Sequence, residues 1–419
     1  MSSTEGKIVS IKYPIFGIDW KRDAQGQPFI AVAGGGGAVK SGIKNCVTLA
    51  RASPPTAAGG HEPPSLDPFL VIDTKDALVS GVAIGSKGGL LAVTIGNKTA
   101  IYRATSGDSP TSSFVVEFQT DFAEKDSYQN VVKFSPDGEA LITGGEDGII
   151  RLWILTIPPS KSEVDIDDKY RDAFQVSEPI LLEGHNGCIN DLSWHPSSAK
   201  VVSCAKDGQC LVWASINGTW KKAASMPLAG ELNVQKPDKA KNRGKFVYRG
   251  CQFVPLPSSS AGKKNSDEKD VIVTVQTPAR GSSYLSKWTC VLDNRGRCTV
   301  DEIYSIPVKD TIVCSLAVSA MHVASGSSDG QVVVHSIDSL SHVSTTAAHF
   351  LPSTGIAFFP FDTDEAPGPL DFTNALTLVS ASADYSVYLI SGIKPSPYYW
   401  FFLLALVACY LVVFFGFDS

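Results

Sequence analysis

Residues 130–153 read NVVKFSPDGEALITGGEDGIIRLW, and short apolar runs alternate here with turn sequences. The runs VVKFS, ALITGG and IIRLW contain many β-branched and aromatic residues, and SPDG and EDG separate them. Runs of this kind, bounded by Gly, Asp, Ser and Pro, favour consecutive β-strands. The stretch therefore predicts three strands joined by tight turns.

Copies of this unit recur along the chain with a period of roughly 40–60 residues. Seven copies are visible, at 16–50, 79–103, 130–153, 181–213, 248–290, 312–337 and 354–390. A fourth strand is expected in the run that leads from each unit to the next. Four-stranded blades that close into a ring leave only short, protected edges. The sequence therefore predicts an all-β, seven-bladed propeller over residues 1–394.

The two ends of the chain are expected to close this ring together. The last unit lacks an outer strand, and the N-terminal run KIVSIKY at residues 7–13 is the natural donor. Five insertions are predicted to be solvated loops without chemistry of their own. They lie at 53–68, 158–178, 234–245, 258–270 and 361–373.

The C-terminal run 398–417 reads YYWFFLLALVACYLVVFFGF, without charge or proline. A helix rising about 1.5 Å per residue would cross a hydrocarbon core of ~30 Å with these residues. Its leading aromatic residues suit the membrane interface, and the N-terminus lacks the pattern of a signal peptide. We therefore predict one transmembrane helix over 398–417, a cytosolic propeller and a lumenal tail of residues 418–419.

Charge and cysteine content exclude some classes of protein. The net charge of -6 argues against a nucleic-acid binder, which usually carries a basic surplus. Nine cysteines occur without a CxxC pair or zinc-finger spacing, and we predict free thiols in a reducing compartment. The alternative is a disulfide framework that uses Cys204 with Cys210, or Cys290 with Cys298.

The repeated units resemble the WD-repeat family. The strongest marks are the pair Gly184 and His185 and the strand-ending Trp153 and Trp213, although neither tryptophan is followed by Asp. The resemblance implies the propeller fold that the repeats predict on their own.

His185, Ser203, Asp207 and Trp213 share one unit, and a Ser–His–Asp set permits a catalytic interpretation. The chain shows no GxSxG nucleophile turn, and converging carboxylates or metal ligands are not evident either. The WD-repeat resemblance implies instead that these four residues lock a blade by hydrogen bonds. We therefore predict no covalent chemistry, and a propeller hydrolase is disfavoured.

Residues 34–45 read GGGGAVKSGIKN, with five glycines in the first nine positions. A phosphate loop needs Gly immediately before the Lys and a following helix, whereas Val39 precedes Lys40 and residues 46–50 predict a strand. Ordering glycine loses more chain entropy than ordering any other residue, which disfavours a mere connector. Four consecutive glycines permit several carbonyl oxygens to point inward, and such oxygens suit a large monovalent cation. Ile43, predicted at the loop tip, suggests contact with a partner's apolar pocket.

This loop, placed between the second and third strands of the first unit and combined with a C-terminal span, resembles a specific family. It is the endoplasmic-reticulum membrane WD-repeat family of guanine-nucleotide exchange factors for the COPII small GTPase, the prolactin regulatory element-binding protein-like family. The resemblance implies that the loop binds potassium and inserts into the GTPase. It also implies a single-pass protein of the endoplasmic reticulum membrane with a monomeric propeller.

The resemblance assigns roles within the loop. It implies a potassium site made by Gly34, Gly35, Gly36, Gly37 and Asn45, mainly through backbone carbonyls. It implies that Ile43, Asn45 and Gly42 act in nucleotide exchange, and that Lys40, Ser41 and Lys44 contact the partner. The alternative function is a non-catalytic, tail-anchored scaffold that assembles partners on a membrane, for which the loop would need no ordered ion site.

Overall fold

The structure is a computed structural model that describes most of the first 391 residues. The described ranges are 6–22, 28–37, 42–53, 65–75, 78–87, 89–105, 110–159, 168–227, 246–255, 269–278, 281–293, 296–308, 311–359 and 376–391. Within them, seven antiparallel sheets follow one another along the chain. This confirms the predicted all-β, seven-bladed propeller.

The strands follow one another blade by blade. Blade one contains β2 (Ile15–Arg22), β3 (Pro28–Gly34), β4 (Asn45–Ser53) and β5 (Ser65–Lys75), after β1 (Gly6–Ser10). Blade two contains β6 (Val79–Ile84), β7 (Leu90–Ile95), β8 (Lys98–Ala104) and β9 (Ser112–Gln119). Blade three contains β10 (Gln129–Phe134), β11 (Ala140–Gly145), β12 (Ile150–Thr156), helix α1 (Asp168–Ala173), β13 (Gln175–Val176) and β14 (Ile180–Leu182).

The remaining blades keep the same order. Blade four contains β15 (Ile189–Trp194), β16 (Lys200–Ala205), β17 (Cys210–Ile216) and β18 (Thr219–Ser225). Blade five contains β19 (Phe246–Phe253), β20 (Asp270–Pro278), β21 (Ser283–Leu292) and β22 (Cys298–Val308). Blade six contains β23 (Val313–Val318), β24 (His322–Ser327), β25 (Gln331–Ser336) and β26 (His342–Ala347). Blade seven contains β27 (Ser353–Phe358), β28 (Leu376–Ser382) and β29 (Ser386–Ser391), and β1 is its outer strand.

The inner and middle strands of a blade are more buried than its outer strand because neighbouring blades cover both of their faces. All six residues of β11 are buried, whereas Val115 alone is buried among the eight residues of the outer strand β9. Gly144 in β11 shows how closely blades approach, since a Cβ there would lie 2.8 Å from Ile189 of the next blade. The near-continuous apolar runs that mark the second strands are thus typical of sheets packed on both sides.

A ring of hydrogen bonds joins the innermost strands at all seven junctions between blades. In order around the ring they are Ile84 N to Asp19 Oδ2 (2.7 Å), Ser80 Oγ to the Gln129 carbonyl (2.7 Å), Asn130 Nδ2 to the Ile189 carbonyl (3.1 Å), Asn190 Nδ2 to the Tyr248 carbonyl (2.8 Å), Gln252 Nε2 to the Leu316 carbonyl (2.8 Å), Ser315 Oγ to the Ser353 carbonyl (3.0 Å) and Thr354 Oγ1 to the Ile15 carbonyl (2.7 Å). Each junction therefore combines apolar packing with a directional polar contact that fixes its register.

Strand β1 closes the ring as the sequence predicts. It pairs antiparallel with β29, from Gly6 opposite Ile390 to Ser10 opposite Ser386. The segment beyond β1 continues the closure, because the backbone N–H of Ile11 donates to the carbonyl of Tyr385 at 2.7 Å. The first and last described strands are therefore held in one sheet.

The four residues predicted to lock blade four form one buried hydrogen-bond network. Nε2 of His185 lies 2.8 Å from Oγ of Ser203, and Trp213 Nε1 donates to the same oxygen at 2.8 Å. Nδ1 of His185 lies 3.2 Å from Oδ2 of Asp207. Ser203 has no exposed surface, so the network supports a blade and offers a substrate no access to a nucleophile.

Related hydrogen bonds occur in other blades. In blade seven, Nε2 of His349 lies 2.9 Å from Oγ of Ser380. In blade three, Trp153 Nε1 donates to Thr143 Oγ1 at 3.0 Å without a histidine. The degenerate repeats thus keep parts of one blade-locking arrangement.

The predictions for two of the insertion loops are wrong in part. In 53–68, the last four residues already belong to β5, whose outer position tolerates Pro68 because an edge strand can spare a backbone N–H. In 158–178, helix α1 and β13 are ordered because Tyr170 and Phe174 are buried against the aromatic core of blades two and three. Residues 234–245 and 361–373 lie outside the described residues, as does all of 258–270 except its last two residues, and Asp270 begins β20.

The eight cysteines in the described ranges are free thiols, as predicted. Cys204 lies directly opposite Cys210 in the ladder between β16 and β17, yet both remain unbridged and buried. The ninth, Cys409, lies beyond the described residues. Neither alternative disulfide is present.

Among the helices in the described part of the chain, none is long and apolar enough to cross a membrane. The predicted span 398–417 and the tail 418–419 fall outside the described residues. They stay predictions.

Deleting residues 7–13 is expected to lower the melting temperature of the whole propeller. The deletion removes the β1 ladder and the buried side chains of Ile11 and Tyr13, each of which contributes about 1.5–3 kcal/mol of apolar burial. Scanning calorimetry measures the change. Ile8→Ser is the control, because Ile8 is 52% exposed and its backbone pairing survives. An unchanged melting temperature in the deletion would contradict closure by β1.

Acidification from pH 7 to about pH 4.5 is expected to lower the free energy of unfolding. Burial lowers the pKa of His185 and of His349, and burial together with the nearby His342 lowers the pKa of His335 to about 4. In the unfolded chain, imidazoles titrate near pH 6.5, so between about pH 4 and 6.5 the unfolded state binds more protons. These histidines therefore leave the free energy of unfolding unchanged above about pH 6.5. As the pH falls below about 6.5, they lower it.

Urea unfolding at several pH values measures this dependence, and His335→Phe is the matched variant. Within the described residues Nδ1 of His335 has no hydrogen-bond partner, so the substitution removes a titrating group without breaking a bond at that nitrogen. The variant should show a shallower loss of stability on acidification. An equally steep loss would mean that His335 does not contribute.

Candidate functional site

The glycine-rich loop lies where the sequence places it, between the second and third strands of blade one. It leaves β3 at Gly34 and returns to β4 at Asn45. The structure describes residues 34–37 and 42–45 of the loop, but not residues 38–41. The roles predicted for Lys40 and Ser41 therefore stay predictions. Gly37 and Gly42 have φ of +76° and +75°, conformations that residues with a Cβ seldom adopt.

The side chain of Asn45 ties the two sides of the loop together. Its Oδ1 accepts a hydrogen bond from the backbone N–H of Gly37 at 2.9 Å, and its Nδ2 donates to the Gly37 carbonyl at 3.1 Å. The same Nδ2 donates to the carbonyl of Lys75 at the end of β5, at 2.8 Å. Asn45 is only 2% exposed, so these bonds are largely screened from competing water.

The first two glycines are required by close approach. Gly35 donates its N–H to the Pro14 carbonyl at 3.0 Å, and a Cβ on Gly35 would lie 2.2 Å from Oδ1 of Asn45. A Cβ on Gly34 would lie 1.9 Å from the Pro14 carbonyl oxygen. Even a methyl group therefore has no room, and the base of the loop is packed as tightly as a core. By contrast, no atom of the described residues lies within 4 Å of a Cβ added at Gly37 or Gly42.

The predicted position of Ile43 is wrong. It is half-buried and packs against the apolar cluster that blades one and seven share. Asn45, two residues further along, fixes the part of the loop that leads into β4, and this places Ile43 close to the blade. Ile43 therefore lies on this part of the loop and keeps only part of its side chain exposed.

Lys44 faces its own blade. Its Nζ lies 3.4 Å from Oδ2 of Asp73 in β5, and both side chains are exposed. The pKa of the Asp73 carboxyl lies below its ordinary value, first because the backbone N–H of Lys75 donates to it and then because Lys44 does. Exposed ion pairs contribute about 0–1 kcal/mol, so this contact leaves Lys44 available to a partner.

The described donor groups at the base of the loop are neutral oxygens. Asn45 Oδ1 accepts from the Gly37 N–H, the Gly37 carbonyl accepts from Asn45 Nδ2, and the positions that a Cβ on Gly34 or Gly35 would take are filled. Neutral oxygen donors suit hard cations and not the softer transition metals. No group of three His, Cys, Asp or Glu side chains suited to a metal occurs among the described residues. Potassium binding by this loop therefore stays a prediction of the resemblance.

Three residues that hold the loop are far from it in sequence, and sequence reasoning missed them. Pro14 contacts Gly35, Lys75 accepts from Asn45, and Thr74 Oγ1 donates to the Asn45 carbonyl at 3.0 Å. Two of these use backbone atoms, which leave no side-chain signature. The pairing of β4 with β5 brings Thr74 and Lys75 to the loop, and ring closure by the N-terminal segment brings Pro14 there. Neither contact can be predicted from a local sequence pattern.

Gly35→Ala is expected to loosen the loop and to destabilise the fold more than Gly42→Ala does. Both glycines have positive φ, +148° and +75°, but only at Gly35 does the added methyl collide with Asn45. We expect Gly35→Ala to cost about 1–3 kcal/mol more, the range for overpacking. Urea unfolding measures this difference, and hydrogen exchange at the Gly37 amide reports the lost Asn45 bond. Equal effects of the two substitutions would contradict the packed base.

Comparison with known protein families identifies repeats in two blades of the propeller. The model of the family "WD domain, G-beta repeat" matches residues 120–153 and 177–214. These ranges cover β10, β11 and the start of β12, then β14, all in blade three, followed by β15, β16 and most of β17 in blade four. The chromatin assembly factor 1 subunit FAS2 homolog of Oryza sativa subsp. japonica is 30% identical over 119 residues, which are 28% of this chain and 21% of that protein. The chain thus spans about a fifth of that relative.

A longer similarity covers most of the chain. Guanine nucleotide-exchange factor SEC12 of Mus musculus is 25% identical over 305 residues, 70% of this chain and 62% of that protein. The SEC12 protein of Rattus norvegicus is 24% identical over 425 residues, 91% of this chain and 90% of that protein. The chain is a seven-bladed propeller with WD40 repeats, similar over most of its length to the SEC12 guanine nucleotide-exchange factors.

Proposed function

We propose that this chain is a guanine-nucleotide exchange factor for the small GTPase that initiates COPII coat assembly at the endoplasmic reticulum. Similarity to SEC12 over most of the chain supports exchange activity. The observation that carries the assignment to a site is the loop 34–45, whose base Asn45 locks to Gly37 and Lys75. A connector between two strands needs no such lock.

Exchange of this kind makes and breaks no covalent bond. The factor binds the nucleotide-free GTPase more tightly than the nucleotide-bound form. By linkage, the nucleotide then binds more weakly while the factor is docked. The size of the acceleration is set by the difference between the two affinities and not by either one alone.

The loop supplies the differential contact in this proposal. Asn45 and the tight packing around Gly35 hold its base in one conformation before binding, which reduces the entropy lost on docking. Ile43 offers a fixed, partly exposed apolar contact beside Gly42. Lys40, Ser41 and Lys44 contact the rim of the GTPase surface.

We further propose that potassium holds the loop in its active form. Asn45 and the carbonyls of Gly34, Gly35, Gly36 and Gly37 are the residues that would hold it. When bound, the ion supplies a positive charge that draws neutral oxygens together. Asn45 then has two roles, since it orders Gly37 by hydrogen bonds and offers its side-chain oxygen nearby.

The run 398–417 anchors the propeller in the endoplasmic reticulum membrane in this proposal, with the propeller in the cytosol. Confinement to a surface raises the local concentration of the factor near membrane-bound partners. Activated GTPase then appears where the coat assembles. The propeller acts as a monomer that carries one active loop.

Ile43→Ala and Asn45→Ala are each expected to slow catalysed GDP release from the COPII small GTPase by about tenfold or more, the effect of losing an interface anchor. Asn45→Ala should act more strongly because it also frees Gly37. Stopped-flow release of a fluorescent GDP analogue measures the rate. Val71→Ala is the control, since Val71 is an exposed residue of β5 in the same blade, outside the loop.

The same assay in potassium and then in sodium tests the ion. Faster release in potassium for the wild type, with no such preference in Asn45→Ala, is the expected result. Wild-type exchange rates in both loop variants would remove the loop from the mechanism. Binding of the GTPase without any acceleration of release would favour the alternative, a membrane-anchored scaffold.

A further inference from the structure

Blade seven carries an exposed apolar patch that the loop does not account for. We call it the blade-seven patch, and it consists of Phe350, Leu351 and Tyr385. Phe350 is 93% exposed, and the other two are partly exposed. Single exposed apolar residues are common on proteins, but an adjacent group of large ones marks interaction sites.

Phe350 occupies a repeated position that is Phe122 in blade three, where the Phe122 N–H donates to Oδ2 of Asp147 at 3.0 Å, and Asn186 in blade four. The backbone N–H of Phe350 donates to Oδ2 of Asp384 at 2.8 Å, just as Asn186 donates to Asp207 at 2.8 Å in blade four. The hydrogen bond from this backbone N–H to the aspartate forms equally well with asparagine at the position. It does not require an aromatic ring. The Phe122 ring is 53% exposed and lies under the Arg151 guanidinium, whose carbon is 4.7 Å from the ring centroid, whereas the Phe350 ring is 93% exposed.

Tyr385 is the stronger anomaly because the backbone disfavours it. It has φ of +69°, and it follows Asp384 in the turn between the second and third strands of blade seven. The corresponding turns of blades three, four and six carry Gly148, Gly208 and Gly330, with φ of +74°, +88° and +79°. A bulky residue with positive φ is strained, and strain retained at one position of a repeat points to function.

A series of hydrogen bonds connects the patch with loop 34–45. Phe350 is bonded to Asp384, the neighbour of Tyr385, and the Tyr385 carbonyl accepts the N–H of Ile11. Three residues further along, the Pro14 carbonyl accepts the N–H of Gly35. Three residues span at most about 10 Å. The patch and the loop base are therefore neighbours, on blades that contact each other.

Both features also lie on the same face of the propeller. The strand order is the same in every blade, so the turns between second and third strands all lie on one face. That face carries the loop and the Tyr385 turn. Strand β29 starts beside Tyr385 and reaches Ser391 on the opposite face, about 20 Å away at roughly 3.4 Å per residue. The chain that follows Ser391 thus starts from the far face.

We infer that the blade-seven patch is a second contact for the same small GTPase that loop 34–45 engages, which rests on the proposed function. The occupant is an apolar surface of the GTPase next to the one that the loop contacts. Its position follows from the patch lying beside the loop base and on the same face. Two adjacent contacts would fix the orientation of the GTPase, which one loop cannot do.

Phe350→Asn and Tyr385→Gly test the inference, because each installs the residue that another blade carries at that position. Both variants should fold, and Tyr385→Gly should raise the melting temperature by relieving the strain. Each should weaken binding of the nucleotide-free COPII GTPase about tenfold, the typical loss for an aromatic interface anchor. Biolayer interferometry with full-length chain in detergent measures Kd, and calorimetry measures the melting temperature.

Met321→Asn is the matched control. Met321 is 53% exposed and lies in the turn between the first two strands of blade six, on the opposite face. Its substitution should change neither Kd nor the melting temperature. Weaker binding by Tyr385→Gly together with a raised melting temperature supports the inference, since a merely structural role would move both in the same direction.

The outcomes separate this inference from the proposed function. If Ile43→Ala slows release while Phe350→Asn and Tyr385→Gly bind like the wild type, the proposed function stands and the second contact is wrong. If the wild type neither binds the GTPase nor accelerates release, both are wrong. If Phe350→Asn instead converts a dimer to a monomer in sedimentation, with unchanged GTPase binding, the occupant is a second copy of this chain.

Discussion

Closure of the ring is the constraint on which this molecule depends. A propeller blade cannot bury both faces of its sheet alone, so each needs a neighbour on either side. The final junction uses both chain ends, since β1 pairs with β29 and Thr354 bonds to the Ile15 carbonyl. Until that junction forms, blades one and seven each lack a neighbour. The six other inner hydrogen bonds can then act together as one ring.

The same closure builds the candidate site. The segment from Ile11 to Pro14 runs from β1 to β2, bonding Tyr385 at one end and Gly35 at the other. The glycine loop therefore rests on the piece of chain that closes the propeller. Its geometry is inherited from the whole ring, which explains how a loop rich in glycine can have a base with no room for a methyl group. In the proposed function, this rigidity lets a small loop act on a larger partner.

Much of this could be predicted from local sequence. The turn chemistry around Asp147 and Gly148, repeated with the strands on either side, was enough to predict seven blades, and the unpaired run at residues 7–13 was enough to predict closure. The lock of His185 on Ser203 followed from the resemblance to the WD-repeat family. Helix α1 and strand β13 could not be predicted, because Tyr170 and Phe174 are buried against partners from blades two and three. The many charged residues around Tyr170 and Phe174 made the segment look like a solvent-exposed loop.

The sequence by itself determined the repeat, the position of the glycine loop between two strands of blade one, and the apolar C-terminal run, because each is a local pattern. Only the tertiary structure decided that Asn45 locks the loop through Gly37 and Lys75, and that Ile43 packs against the blade. The Asn45 contacts join residues as many as 30 positions apart and end on backbone atoms, which every residue type possesses. Such contacts leave no trace in side-chain identity, and only the folded ring brings them together.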